Sequence, residues 1–312
     1  MERILDVRNL MVSYYTNEGE VHAVRRIDFH VDKGQVLAVV GESGCGKTVT
    51  AKAIMGLIEY PGVIKQGSEI TFNGKDVLGM NKKQLRKLRG GDIGIIFQDS
   101  ITSLNPTMRI GHQIGENLMV HKGMNKSDAF NEAVKILEAV NITDSIKRAG
   151  QYPHELSGGM RQRAAFAMAM ACNPDMLIAD EPATALDVIS QAQIIDIFRE
   201  LKHNNGVSTI IITHDLGVVA DISDMIMVMY AGKIIERGTT SEIFYNPVHP
   251  YTNALLKSVT SLNEEHKGTL YSIPGNPPSL INEPAGCSFA PRCTLCMEIC
   301  LEESPKRVCL SE

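Results

Sequence analysis

The sequence predicts an α/β protein built on a largely parallel sheet, with a loop-rich appendage towards its C-terminal end. Three observations carry that expectation. Short apolar runs at 36–40, 93–97, 176–179, 209–213 and 226–230 alternate with helical or polar segments, the rhythm of strands joined by crossover helices. Between residues 105 and 157 no comparable run occurs, and "SDAFNEAVKILEAV" spaces its apolar residues by three and four, which predicts a helical insertion over about 100–160. Beyond "YAGKIIERG", a hairpin expected to turn at Ala231-Gly232, eight prolines fall between Pro247 and Pro305, so regular structure should give way to loops.

The 312 residues suffice for one large domain or two ordinary ones, and 44% apolar with 21% charged residues is the balance of a globular chain. A formal charge of −5 without a cationic block argues against a nucleic-acid partner. The start, "MERILDVRNLMVSYY", lacks the basic, apolar and small-residue sections of a signal peptide. Runs such as "MIMVMYA" fall well short of the roughly 18 residues that span a bilayer. The expected place is therefore the cytoplasmic side of the cell, where disulfide frameworks are rare and crowded thiols point to metal or burial.

In chain order, the first element with chemistry is "VLAVVGESGCGKTVTAKAIMGLI", an apolar strand, a glycine-rich loop at 41–48 and an amphipathic helix. The loop reads G-x-x-x-x-G-K-[ST] in its confirming context. Its glycines let the backbone amides of Ser43, Gly44, Cys45 and Gly46 turn inwards on phosphate oxygens, helped by the positive end of the helix. Lys47 would reach the β- and γ-phosphates and Thr48 would give a hydroxyl to Mg²⁺.

Next, "QYPHELSGGMRQRAAFAMAMA" places Ser157 as an N-cap before Gly158, Gly159 and an alanine-rich helix, a second helix-terminus anion site. Two such sites with a single Lys-Thr loop suggest that the second completes a partner's nucleotide pocket. A further apolar strand, "MLIADEP", ends in Asp180, suited to Mg²⁺, and Glu181, suited to orienting and deprotonating an attacking water.

The stretch 156–162, "LSGGMRQ", resembles the signature motif of ATP-binding cassette (ABC) proteins, and the other cassette motifs occur in order. Tyr14 resembles the aromatic that stacks on adenine, although Tyr15 could take that role. Gln98 of "IIFQDS" resembles the Q-loop residue that joins Thr48 and Asp180 around Mg²⁺. Asp187 of "TALD" resembles the D-loop, and His214 of "ITHD" the switch histidine, which with Glu181 and Gln98 makes the catalytic set. "QDSITSLNPTMRIGHQIGENL", "YPHELSGGMRQR" and "FYNPVHPYTNALLKS" further resemble the ATP-binding subunits of bacterial dipeptide and oligopeptide importers.

That resemblance implies an ABC-type P-loop NTPase fold: a RecA-like core, an N-terminal antiparallel β subdomain and a helical subdomain. It implies a nucleotide-binding domain over 1–245 and a cysteine-bearing extension over 246–312. It implies a sister ABC ATPase paired with this chain, two transmembrane permeases and an extracytoplasmic peptide-binding protein, with ATP and Mg²⁺ as ligands at the cytoplasmic face of the membrane. Nickel importers are the nearest alternative, because their ATPases are similar; non-transport ABC ATPases of repair or translation fit less well, with one cassette and no heptad run here.

Five of the seven cysteines lie beyond residue 286. Cys287, Cys293, Cys300 and Cys309 are separated by five, six and eight residues, wider than the knuckles of structural zinc, and leave Cys296 as the odd one out. The resemblance implies a 4Fe-4S cluster at this spacing; zinc and free or disulfide-bonded thiols are the alternatives.

Overall fold

The computed structural model describes residues 2–98, 103–184, 186–202, 206–258 and 272–310. The chain opens with a long antiparallel hairpin, β1 (Arg3–Thr16) and β2 (Gly19–Asp32), whose core-facing side chains include Leu5, Val7, Leu10 and Phe29. β3 (Val36–Val40) follows, then the helix Lys47–Ile54. Three short strands come next, β4 (Gly62–Ile64), β5 (Glu69–Phe72) and β6 (Lys75–Asp76). After the helix Lys82–Lys87 the chain enters β7 (Ile93–Ile96).

The insertion holds the helices Ile110–Lys122, Lys126–Ala139, Ser145–Ala149 and Gly158–Met170. Strands and helices then alternate: β8 (Met176–Asp180), helix Val188–Glu200, β9 (Ser208–Ile212), helix Leu216–Ile222 and β10 (Met225–Tyr230). Last come β11 (Lys233–Thr239) and the helices Thr240–Tyr245, Pro250–Lys257 and Ile299–Glu302.

Two sheets result. One is antiparallel, in order β2-β1-β5-β6 with β4 also paired to β1; the other runs β11-β10-β3-β9-β8-β7, parallel except for β11. Every residue of β3, β8 and β9 is buried, which is why these strands read as unbroken apolar runs rather than as alternation. β10 turns into β11 through Ala231 and Gly232, both at positive φ (47° and 78°), the geometry that suits a two-residue hairpin turn.

The insertion is helical among its described residues, as the spacing predicts. Its helices bury Ile114, Leu118, Ala133 and Leu137 in the same core as Leu177 of β8 and Ile211 of β9. Gly111 is required there by close approach, since a Cβ would stand 2.8 Å from the Phe130 ring and 2.9 Å from Ala149.

The proline-rich segment is mostly loop over residues 272–310, as expected, and it packs on the cassette. Tyr251, fully buried, and Phe289 pack with Tyr230 of β10, with ring centroids 4.6 and 5.3 Å from that of Tyr230. Burial of each such ring stabilises by about 1.5–3 kcal/mol. Among its described residues, this segment places the buried rings of Tyr251 and Phe289 in the core of the cassette.

Candidate functional site

The parallel sheet puts the ends of β3, β7, β8 and β9 on one edge, where open α/β folds hold their ligands. The loop after β3 needs its glycines. A Cβ at Gly41 would stand 2.2 Å from the Met229 carbonyl oxygen, and one at Gly46 2.5 Å from that of Ala23. Gly46, at φ 104°, begins the helix without a side-chain cap, so no side chain competes for the first amides. Lys47 is buried and lies across the loop, its Nζ donating to the Gly41 carbonyl at 2.7 Å and the Glu42 carbonyl at 3.0 Å. Ser43 and Gly44 are exposed, whereas the Cys45 thiol is buried beneath the loop, and that burial pushes its pKa up.

β8 delivers the two carboxylates. Asp180 is 2% exposed, and its Oδ1 is buried without a hydrogen-bond partner. Burial raises its pKa, with the Thr48 hydroxyl and the Lys47 charge acting the other way. An orphaned buried carboxylate oxygen beside a hydroxyl offers the oxygen donors that a hard divalent cation takes, and Thr48 with Asp180 would hold Mg²⁺. Gln98 stands exposed just past the end of β7.

Glu181 turns sharply out of β8 at φ 52°, a left-handed conformation uncommon for glutamate, with its amide bonded to the Ile212 carbonyl of β9 at 2.8 Å. Its Oε2 accepts from Thr184 Oγ1 at 2.6 Å, and His214 Nδ1, just past β9, lies 2.8 Å from the same oxygen. The structure thus joins two residues 33 positions apart that the sequence reading placed in one catalytic set. Thr184 was missed; its signal is the short "ADEPAT" stretch, where a hydroxyl three residues after the base can fold back on it.

Ser157 caps the helix Gly158–Met170, its Oγ accepting from the Met160 amide at 3.3 Å. Ser157 and Gly158 are exposed, and among the described residues no hydrogen bond or ion pair joins this helix start to the loop at 41–48. Gly159 is buried against Ser190, whose Oγ would lie 2.4 Å from an added Cβ. Asp187 holds that serine, accepting from its hydroxyl at 2.7 Å and its amide at 3.0 Å. Gln162 Nε2 donates to the Pro182 carbonyl at 2.7 Å, coupling the helix to the turn that carries Glu181.

Tyr14 is half-buried, its ring packed where a Cβ on Gly62 would lie 2.7 Å away. Tyr15 faces the opposite side of β1, 48% exposed, with Lys65 over its ring and bonded to its hydroxyl at 2.6 Å.

The cysteine region closes through the Cys287 amide and the Cys300 carbonyl, 2.7 Å apart. Gly286 permits this approach, since a Cβ there would stand 2.2 Å from that carbonyl oxygen. Cys296, set apart by its spacing, lies within electrostatic reach of Cys300, Cys293 and Cys287, and burial together with those thiols raises its pKa. Cys309 is exposed. Among the described residues, no three His, Cys, Asp or Glu side chains are gathered closely enough to hold a metal ion, so the four-thiol set is not assembled here. No helix among the described residues is long and apolar enough to cross a membrane.

Comparison with known proteins agrees with this geometry. Residues 24–184 match the family described as ABC transporter, and residues 235–300 match the oligopeptide/dipeptide transporter C-terminal region. The oligopeptide transport ATP-binding protein OppD of Bacillus subtilis is 52% identical over 97% of this chain and 85% of its own length. The dipeptide transport ATP-binding protein DppD of the same organism is 51% identical over 96% of this chain and 89% of its own. The fold is also that of the ATP-binding cassette MJ0796, solved as a post-hydrolysis dimer with ADP and Pi: TM-score 0.69 and 24% identity, over 76% of this chain and 98% of that one. These matches place this protein in the ABC transporter family, as a transport ATPase carrying the oligopeptide/dipeptide transporter C-terminal region.

Proposed function

We propose that this chain energises the uptake of di- and oligopeptides, hydrolysing ATP in a head-to-tail pair with a sister ATPase at the cytoplasmic face of the membrane. The pair sits beneath two permeases that receive peptide from an extracytoplasmic binding protein. The observation that carries the reading is the C-terminal peptide-transporter region built into the same core as β3, the strand that leads into the phosphate loop, through Tyr230, Tyr251 and Phe289. Similarity to OppD and DppD over nearly the whole chain supports the substrate class.

In this reading Lys47 and the amides of Ser43, Gly44, Cys45 and Gly46 bind the phosphates, and Tyr14 flanks the adenine. Thr48, Asp180 and Gln98 would hold Mg²⁺, which would supply positive charge to the phosphates. Glu181 takes the proton of the attacking water, while Thr184 and His214 fix its carboxylate. Ser157, Gly158 and Gly159 face a nucleotide held by the sister subunit.

Glu181→Gln tests it. In vesicles carrying the permeases, the variant should still bind ATP, lose turnover by about 10²- to 10⁴-fold, and stop ATP-driven uptake of a labelled oligopeptide. Turnover within about threefold of the parent would remove Glu181 from its role, and uptake of nickel rather than peptide would change the substrate.

The extension has a second proposed property, a 4Fe-4S cluster on Cys287, Cys293, Cys300 and Cys309. Its support is the all-thiol donor set, the closure of Cys287 on Cys300, and, among residues 272–310, the burial of no apolar side chains beyond Phe289 and Ala290. Protein purified without oxygen should be brown, with about four irons per chain. Stoichiometric zinc in place of iron, or colour lost only on Cys296→Ser, would refute the assignment.

A further inference from the structure

Two buried arginines tie the C-terminal segment to the rear of the phosphate loop. Arg25 of β2 donates to Glu283 at 2.9 Å, to Ser288 Oγ at 3.1 Å and to the Ala231 carbonyl at 3.2 Å. Arg292, 8% exposed, forms a two-pronged pair with Glu42, its guanidinium nitrogens 2.7 and 2.9 Å from the two carboxylate oxygens. It also donates to Tyr230 Oη at 3.2 Å and to the carbonyls of Pro274 and Ile273 at 2.8 and 3.3 Å.

Glu42 is the second residue of the phosphate loop, and each of its polar groups is engaged. Its carboxylate meets Arg292, its amide donates to Tyr251 Oη at 2.9 Å, and its carbonyl accepts from Lys47 Nζ at 3.0 Å. Two of those three partners, Arg292 and Tyr251, lie beyond residue 245.

A carboxylate inside a loop that collects polyanions works against binding unless its charge is cancelled. In a partly desolvated site, one unit charge within about 8 Å changes the affinity for a polyanion by roughly tenfold. The fork geometry of arginine on a carboxylate cancels that charge and fixes its direction, here towards Arg292 of the C-terminal segment.

We propose that Arg292 is a positioning residue for nucleotide: by neutralising Glu42 it lets the loop accept a triphosphate, so the C-terminal segment sets this chain's affinity for ATP. The proposal rests on the reading that the loop at 41–48 holds the phosphates.

The test uses full-length protein purified without oxygen, with Mg-ATP as the probe. Arg292→Ala should raise both Kd and KM for Mg-ATP about tenfold while kcat changes less than threefold, because the reacting groups at Glu181 are untouched. Arg292→Lys, which keeps the charge but not the fork, should recover most of the affinity. Adding Glu42→Gln to Arg292→Ala should return affinity to within about threefold of the parent, since no stray charge remains.

Arg292→Ala binding within twofold of the parent would overturn the proposal, and so would a double variant as weak as Arg292→Ala alone. Should Arg292→Ala fail to fold, Glu42→Gln reads the same coupling. With the positive Arg292 left in excess beside the loop, ATP should bind more tightly at low salt, and binding no tighter than the parent's overturns it. A parent that binds no Mg-ATP would strike down the phosphate-site reading itself, with this proposal, and is distinct from every outcome above.

Discussion

The chain has two glycine-flanked helix starts aimed at anions, and they differ in what surrounds them. At Lys47–Ile54 the start is enclosed: Gly41, Cys45, Gly46 and Lys47 are buried, and the loop is backed by Tyr251 and Arg292. At Gly158–Met170 the start faces outwards, with Ser157 and Gly158 exposed and open space around the position of a Gly158 Cβ. The local physics is the same, amides and the positive end of a helix. On the proposed reading, the difference separates a site finished within its own chain from one that is half of a site shared with the sister subunit.

The sharpest way to break that comparison is to disable each start in turn. Lys47→Ala should weaken Mg-ATP binding by the dilute, unpaired chain by at least about 100-fold, because a buried charge-assisted contact to phosphate is lost. Ser157→Arg should leave that one-to-one affinity within about twofold, yet lower turnover at high protein concentration by about 10²-fold. Equilibrium binding beside a concentration series of turnover separates them, and equal losses of monomer affinity would erase the distinction.

A smaller effect sharpens the finished site. Thr184→Val removes the hydroxyl that holds Glu181 Oε2 while leaving His214 in place, so kcat should fall about tenfold with KM for ATP nearly constant. A rise in KM with kcat unchanged would mean that Thr184 serves binding instead.

The smallest effect is on stability. Burial raises the Asp180 pKa above its unfolded value, so the fold favours the protonated acid. That stabilisation is complete below about pH 4 and is lost as pH rises through the folded value. Asp180→Asn removes the charge, and the nucleotide-free protein should melt about 2–4 °C higher at pH 7.5, with the gap closing towards pH 4. A lower melting temperature at pH 7.5 would show that Asp180 is stabilised as the anion.

Much of this was legible in the sequence, for a physical reason. β3, β8 and β9 are buried on both faces and so read as apolar runs, and the loop at 41–48 needs glycines where backbone carbonyls crowd it. The helical insertion and the Ala231-Gly232 turn follow from spacing and from positive φ. The packing of the loop-rich tail was not legible, because proline content reports the lack of regular structure and says nothing about which core a segment joins. Tyr251 and Phe289 are single aromatics without a period, yet they join the cassette core. Arg25 and Arg292 look like surface charges, and their carboxylate partners lie 258 and 250 positions away, beyond any local pattern.

That separation of 250 positions has a consequence for how the protein is made. Chains emerge from synthesis N-terminus first, and contacts between distant residues form late. β3, the phosphate loop and its helix can be folded while Arg292 has yet to be added, leaving Glu42 with its charge uncancelled. On the proposed coupling, a nascent cassette would then hold nucleotide about tenfold more weakly than the finished one, and its grip on ATP would tighten only as the tail arrives.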